Sequence, residues 1–255
     1  IFASDYGWNL TYQVMSLLML IGIIGVLICP EEVNVNLKRL TLQNSIVEPL
    51  KDFITRFGLY FASFLLMIVA TYRLTDIVMG PMASPFYLEK GYTLKEIGYI
   101  VKVVAVIASI VGFFLGGLLV KRLGVKVTLI IGAFLVLMTN LSFSLVAILE
   151  KDLYLLGWVV GADSLAAGVV GTANITFLTS LVSKKYTAVQ YALLTSFMML
   201  PGKFFSGFSG MLANFMKYEF GEENGWMAFF IFTSLLTLPS LLLLFYYIRR
   251  NNLND

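Results

Sequence analysis

VTLIIGAFLVLMTNLSFSLVAIL, Val127 to Leu149, runs for 23 residues without a charged side chain. At about 1.5 Å per residue a helix of that length covers roughly 34 Å, enough for the ~30 Å hydrocarbon core of a bilayer. Six further stretches share the property or break it with one to three charges: Tyr6 to Pro30, Phe57 to about Gly80, Leu94 to Val120, Tyr154 to Val182, Thr187 to Met216 and Trp226 to Ile248. Gly80-Pro81 and Pro85 are expected to end the second. The apolar residues run all round the helical wheel and do not alternate, which excludes amphipathic soluble helices and membrane barrel strands. The fold class predicted is an all-α membrane protein with seven transmembrane helices.

Composition agrees and removes several chemistries. Of 255 residues 59% are hydrophobic and 13% charged, and mean hydropathy is +0.86. With no histidine, histidine triads, histidine-held zinc and histidine proton relays are excluded, and no metal or other cofactor is expected. The single cysteine, Cys29, allows no internal disulfide. A net charge of +3, with no basic run longer than two, argues against nucleic acid as a partner. No nucleophile, base and orienter set is visible, so an enzyme is not expected. The first span lacks a basic leader and carries Asp5, so it is expected to be a true span and not a signal peptide. A start at Ile1 is expected to mark a fragment or a processed product.

Lysine and arginine orient the spans, because basic loops stay in the cytoplasm. Alternate loops place eleven on one side (Lys38, Arg39, Lys51, Arg56, Lys121, Arg122, Lys126, Lys184, Lys185, Arg249 and Arg250) and four on the other (Lys90, Lys95, Lys151 and Lys217). Ile1 is therefore expected outside and Asp255 inside. A polar cytoplasmic loop is expected over 31–56 and a cytoplasmic tail over 249–255, with a bundle at 57–248 between them. Trp8, Tyr154, Trp158 and Trp226 lie where interfacial aromatic residues belong.

Five charges remain inside spans: Arg73, Asp76, Lys102, Asp163 and Lys203. Facing lipid, each would cost about 2.5–3.5 kcal/mol, so they are expected to face one another or water. Each of the four spans that carry them has one roughly 10–17 Å from its outer end, which allows a common layer. The first, fourth and seventh spans carry none, a period of three that suits three-helix repeats around a central cavity, with every third helix outermost. Asp163 shares a face with Ala167, Val170 and Asn174, and Lys203 one with Ser196, Gly207, Gly210 and Asn214. Pro201-Gly202 is expected to kink the sixth span. Gly112, Gly116, Gly117, Gly157 and Gly161 are expected to allow close helix packing. Alternatives stand beside these readings. Arg73 and Asp76, three residues apart, also fit a structural ion pair. Lys102 also fits an outward-reaching side chain. Asp163 fits either a reversible proton site or a bridge to Lys203 or Lys102.

GGLLVKRLGVK, Gly116 to Lys126, resembles the turn that major facilitator superfamily transporters carry between their second and third helices and, more weakly, between the eighth and ninth. Lys121 stands where that motif has an acid, and Val125 where it often has arginine. Gly117, Arg122, Gly124 and Lys126 are the residues the resemblance marks as a conformational gate. A wider set resembles the anhydromuropeptide permeases of the AmpG type: GWNLTY (7–12) with CPEE (29–32), YRLTD (72–76), SPFYLEKGYTLKEIGYIVK (84–102), AVQYALLTS (188–196), Gly202-Lys203 and Gly225-Trp226. The resemblance covers about Trp8 to Ile248.

It implies the sixth helix (1–30), the central cytoplasmic loop (31–56) and the six-helix C-terminal bundle (57–248) of a bacterial inner-membrane transporter. Such a protein imports N-acetylglucosaminyl-1,6-anhydro-N-acetylmuramyl peptides with protons for peptidoglycan recycling. Arg73, Lys102, Lys203 and Asn174 are the expected substrate-binding residues, and Asp163 and Asp76 the expected proton-coupling ones. The partners implied are the bilayer, an anionic small molecule, protons, and a missing N-terminal half or an oligomeric partner. Rival expectations are a carrier of another organic anion such as acyl-coenzyme A, and a non-transporting fragment or assembly subunit.

Overall fold

The computed structural model describes residues 2–29 and 42–251. Residues 31–41 of the expected 31–56 loop, Lys38 and Arg39 among them, and 252–255 of the expected 249–255 tail lie outside the described residues. The chain divides into two units, Ile1–Asn44 and Ser45–Asp255. The first contains α1 (Phe2–Ile28), which is apolar on every side and, apart from half-buried Thr11, exposed from Gly7 to Ile28.

The second unit is a helical bundle without strands among its described residues. It opens within α2 (Leu42–Phe57), where the sequence suggested a polar linker. Ile46, Leu50, Phe53 and Phe57 recur at helical spacing, and Phe53 is buried in the bundle core. α3 (Leu59–Tyr72) and α4 (Leu74–Glu89) form the second span. Its interruption falls at Arg73 (φ −106°, ψ 6°) and not at Gly80-Pro81, and α4 runs through Pro81 and Pro85 to Glu89. In a membrane bundle, neighbouring helices and local backbone adjustment can satisfy the carbonyls left without a donor by proline's missing N–H. α5 (Leu94–Tyr99), whose Thr93 and Glu96 form a capping box, passes through a π-helical turn at Ile100–Val104 into α6 (Ala105–Ile148). α6 is two spans joined at Gly124, whose φ of 80° only glycine adopts readily. α7 (Leu153–Leu181) is capped by Asp152, which accepts from the Tyr154 amide.

α8 (Thr187–Ser206) and α9 (Ser209–Phe220) make the sixth span, α10 (Glu222–Leu235) and α11 (Leu238–Asn251) the seventh. The break between α8 and α9 is at Gly207-Phe208, beyond the Pro201 where a kink was expected. Among the described residues, five helical segments are long and apolar enough to cross a membrane, one of them the doubled Leu94–Ile148.

Glycine sets the approach of α6 to α7. A Cβ at Gly168 would lie 2.5 Å from the Ser109 carbonyl oxygen, and Gly112 and Gly116 abut Leu165 and Thr172 as closely. Gly117 and Gly157 meet nothing and have no such role; Gly161 only touches Val104. Helices expected outermost also feed the core: Leu129, Phe143 and Val146 from α6, and Phe229, Phe230 and Leu244 from α10 and α11, are all but inaccessible. Counting charges locates helices that bear polar work, but an outer helix still buries one apolar face. Trp226 is buried, donating from Nε1 to Glu89 Oε2 at 2.9 Å, while Trp8, Tyr154 and Trp158 are exposed.

Candidate functional site

Two fixed points frame the interruption at Arg73. Tyr72 donates its hydroxyl to the Leu129 carbonyl at 3.2 Å, and Thr75 shares a 3.0 Å hydrogen bond with Thr237. Between them the guanidinium Nη2 of Arg73 lies 3.5 Å from Asp76 Oδ2. The pair is loosely made: Arg73 Nε and Asp76 Oδ2 are buried without a hydrogen-bond partner. Both residues line a cavity of about 310 Å³. Asp163 on α7 lines the same cavity and accepts a 3.0 Å hydrogen bond from Thr139 Oγ1 at its Oδ1. Three of the five intramembrane charges thus meet, two carboxylates against one guanidinium.

Arg73 also lines a second cavity of about 330 Å³, where Asn174 sits with Tyr191, Thr195 and Met198. Asn174 Nδ2 contacts Met198 Sδ at 3.1 Å, and its Oδ1 has no partner. Arg73 and Ala167 line both chambers, the first acidic and the second neutral and mostly apolar. Lys102, in the π-helical turn, and Lys203 are exposed and line neither chamber. Of the turn residues, Gly117 and Arg122 are exposed, Gly124 makes the bend, and Lys126 Nζ lies 5.5 Å above the Tyr247 ring.

Asn140 escaped the sequence reading. It lies on the charge-free fourth span, is wholly buried, and lines the acidic cavity with neither Oδ1 nor Nδ2 hydrogen-bonded. The available signal was local: Thr139, Asn140, Ser142 and Ser144 concentrate polarity in an otherwise apolar run.

At the other end of α8, the AVQYALLTS segment has a separate task. Gln190 is 2% exposed and uses its whole carboxamide, donating to the Pro49 carbonyl (2.8 Å) and Asp52 Oδ2 (2.9 Å) and accepting from Arg56 Nη2 (3.0 Å) and the Ser183 amide (2.7 Å). Arg56 also donates to the Leu181 carbonyl at 3.0 Å, tying α2 to the end of α7. Hydrogen bonding from Gln190 foremost, then the Arg56 guanidinium, holds the Asp52 carboxyl below the usual carboxylate range.

An apolar bundle around a charged cavity is shared by several kinds of membrane protein. The family model of the Major Facilitator Superfamily matches residues 1–206. The chain belongs to this superfamily. It is a multi-pass membrane protein of a transporter family and not of an enzyme family. It is 33% identical over 244 residues to the AmpG 4 protein of Rickettsia conorii, covering 94% of this chain and 56% of that one. To the AmpG 4 protein of Rickettsia felis it is 32% identical over 251 residues, 96% of this chain and 58% of the relative. To the anhydromuropeptide permease of Escherichia coli K12 it is 30% identical over 239 residues, 93% of this chain and 46% of the permease. The chain thus spans about half the length of the curated relatives it matches. No solved structure matches it.

Proposed function

We propose that this chain is the C-terminal part of an inner-membrane symporter that takes up anhydromuropeptides together with protons for peptidoglycan recycling. The supporting observation is the cavity in which Asp76 and Asp163 face one guanidinium inside a membrane bundle. When both carboxylates are ionised, one has no countercharge, and an uncompensated charge in a low-dielectric site favours taking up a proton. Asp76 already has Arg73 at 3.5 Å, which leaves Asp163, held only by a neutral hydroxyl, as the proton carrier. Arg73, whose Nε is unspent, is the binding cation for a substrate carboxylate, and Asn174 extends the site into the neutral chamber. A proton moving down 100 mV supplies about 2.3 kcal/mol, useful for accumulating an anionic substrate.

Lys102 and Lys203 stand on exposed faces; their proposed role is to add positive charge once a second half or an oligomeric partner covers those faces. The gate residues Gly117, Arg122, Gly124 and Lys126 belong to the cytoplasmic side in this reading, as does the C-terminus.

The deciding experiment is uptake of labelled anhydromuropeptide into vesicles bearing the full-length protein, with an imposed pH gradient. The expected result is saturable accumulation that collapses with a protonophore, competed by unlabelled muropeptide and not by acyl-coenzyme A. Uptake indifferent to the proton gradient overturns the coupling, and no competition by muropeptide overturns the substrate. Exposed Cys29 supplies the orientation test: an impermeant thiol reagent applied to intact cells should leave it unlabelled.

A further inference from the structure

We propose that Asn140 is a substrate-reading residue whose carboxamide binds two adjacent hydroxyl groups, such as those of a sugar ring, in the acidic cavity. The inference rests on that cavity being the transport site. Asn140 is 0% exposed, lines the cavity beside Arg73, Asp76 and Asp163, and has neither polar atom hydrogen-bonded. Buried amides nearly always find partners, so a carboxamide in a cavity wall with donor and acceptor both unpaired calls for a ligand offering both.

The chemistry narrows the choice. A metal cation would use Oδ1 and leave Nδ2 unpaired. An anion would use Nδ2 alone and leave Oδ1 unpaired. A trans peptide group turns its N–H and C=O to opposite sides, so one carboxamide cannot engage both. Adjacent hydroxyls lie on one edge and each can donate or accept, so they satisfy donor and acceptor together. Exchanging the amide N and O positions leaves this match intact. Tyr87 and Phe143 line the same cavity and offer apolar surface for the C–H face of a ring. A volume of about 310 Å³ lies at the small end of ligand pockets, about 300–1,000 Å³. That size suits one ring and not a whole peptide-bearing disaccharide.

The test uses the full-length transporter in proteoliposomes and two probes: the labelled disaccharide tripeptide and an analogue lacking one hydroxyl of the adjacent pair on the N-acetylglucosamine ring. Wild type is expected to take the analogue with a half-saturation concentration about ten-fold higher, the loss expected for one neutral hydrogen bond. Asn140→Leu is expected to raise half-saturation for the parent by about the same factor, keep the maximal rate and pH profile, and no longer distinguish the probes. Equal discrimination by wild type and Asn140→Leu overturns the inference. Should Asn140→Leu fail to give a monodisperse protein, Asn140→Ala, smaller and without either polar atom, takes its place with the same expected loss of discrimination. Wild type alone also decides: if it takes both probes equally well, Asn140 reads no hydroxyl pair. If wild type takes up neither probe, the muropeptide reading falls and this inference with it; uptake of both without discrimination removes only the inference.

Discussion

Two polar clusters, one at each end of the bundle's chemistry, differ in how completely their hydrogen bonds are made. Around Gln190 every polar atom of the carboxamide is engaged, and Arg56, Asp52 and the end of α7 close into one network. Around Arg73, by contrast, a guanidinium nitrogen, a carboxylate oxygen and both polar atoms of Asn140 are buried and unsatisfied. A satisfied cluster has nothing left to offer a ligand and serves to hold helices together; an open one sacrifices stability for binding. AVQYALLTS, the most distinctive segment of the sequence, belongs chiefly to the first kind, while its Tyr191 and Thr195 reach the neutral chamber.

Four substitutions or conditions probe this contrast. The largest effect is expected for Asp163→Asn in the full-length protein: accumulation against a gradient is lost, while exchange of substrate down its gradient survives. Normal accumulation by this variant in a pH-driven uptake assay would move the proton role to Asp76 or out of this half.

Next, Arg73→Gln removes the cation of the open cluster. A charged hydrogen bond contributes about 1.5–3 kcal/mol, so binding of labelled muropeptide should weaken by roughly 10- to 100-fold. Its melting temperature in detergent should change little, since the Asp76 pairing is loose. A large loss of stability with unchanged binding would make Arg73 structural instead.

Gln190→Leu should behave in the opposite sense. It strands the Pro49 carbonyl and removes the link between Arg56 and the Ser183 turn, costing about 1–3 kcal/mol of stability. Thermal unfolding should shift down while half-saturation for substrate stays within about two-fold, a change worth only ~0.4 kcal/mol. Equal damage to binding and stability would erase the distinction between the clusters.

The smallest effect is in acid. Asp52 is held below the ordinary carboxylate value of about 3.9 when folded, so its contribution is fully present above that value. It is lost as pH falls through the lower folded value. Unfolding followed between pH 5 and pH 3 should therefore show a slightly shallower acid loss in Asp52→Asn than in wild type, and identical slopes would remove Asp52 from the clamp's energetics.

The sequence by itself determined the all-α membrane character, since only helices satisfy their backbone within lipid and the charge-free runs are of membrane length. It also determined which five residues had to be sheltered, because an intramembrane charge is costly wherever the helix lies. It also marked a turn within Gly116 to Lys126; the structure puts the bend at Gly124, with a positive φ that glycine adopts cheaply.

Tertiary structure decided which of the sheltered residues meet. Arg73, Asp76 and Asp163 converge because Tyr72 and Thr75 are tied to residues 57 and 162 positions away in the chain, a link that no local pattern encodes. Lys102 and Lys203, equivalent to them by depth along their helices, face elsewhere. Depth follows from counting residues, but facing depends on the rotation of each helix, which packing sets. The same holds for the helix breaks. Proline signals a weak point, yet the second span bends at Arg73 and continues through Pro81 and Pro85, because surrounding helices fix where the backbone yields. Asn140 could not be ranked above any other polar residue until the fold placed it, unpaired, in the wall of the charged cavity.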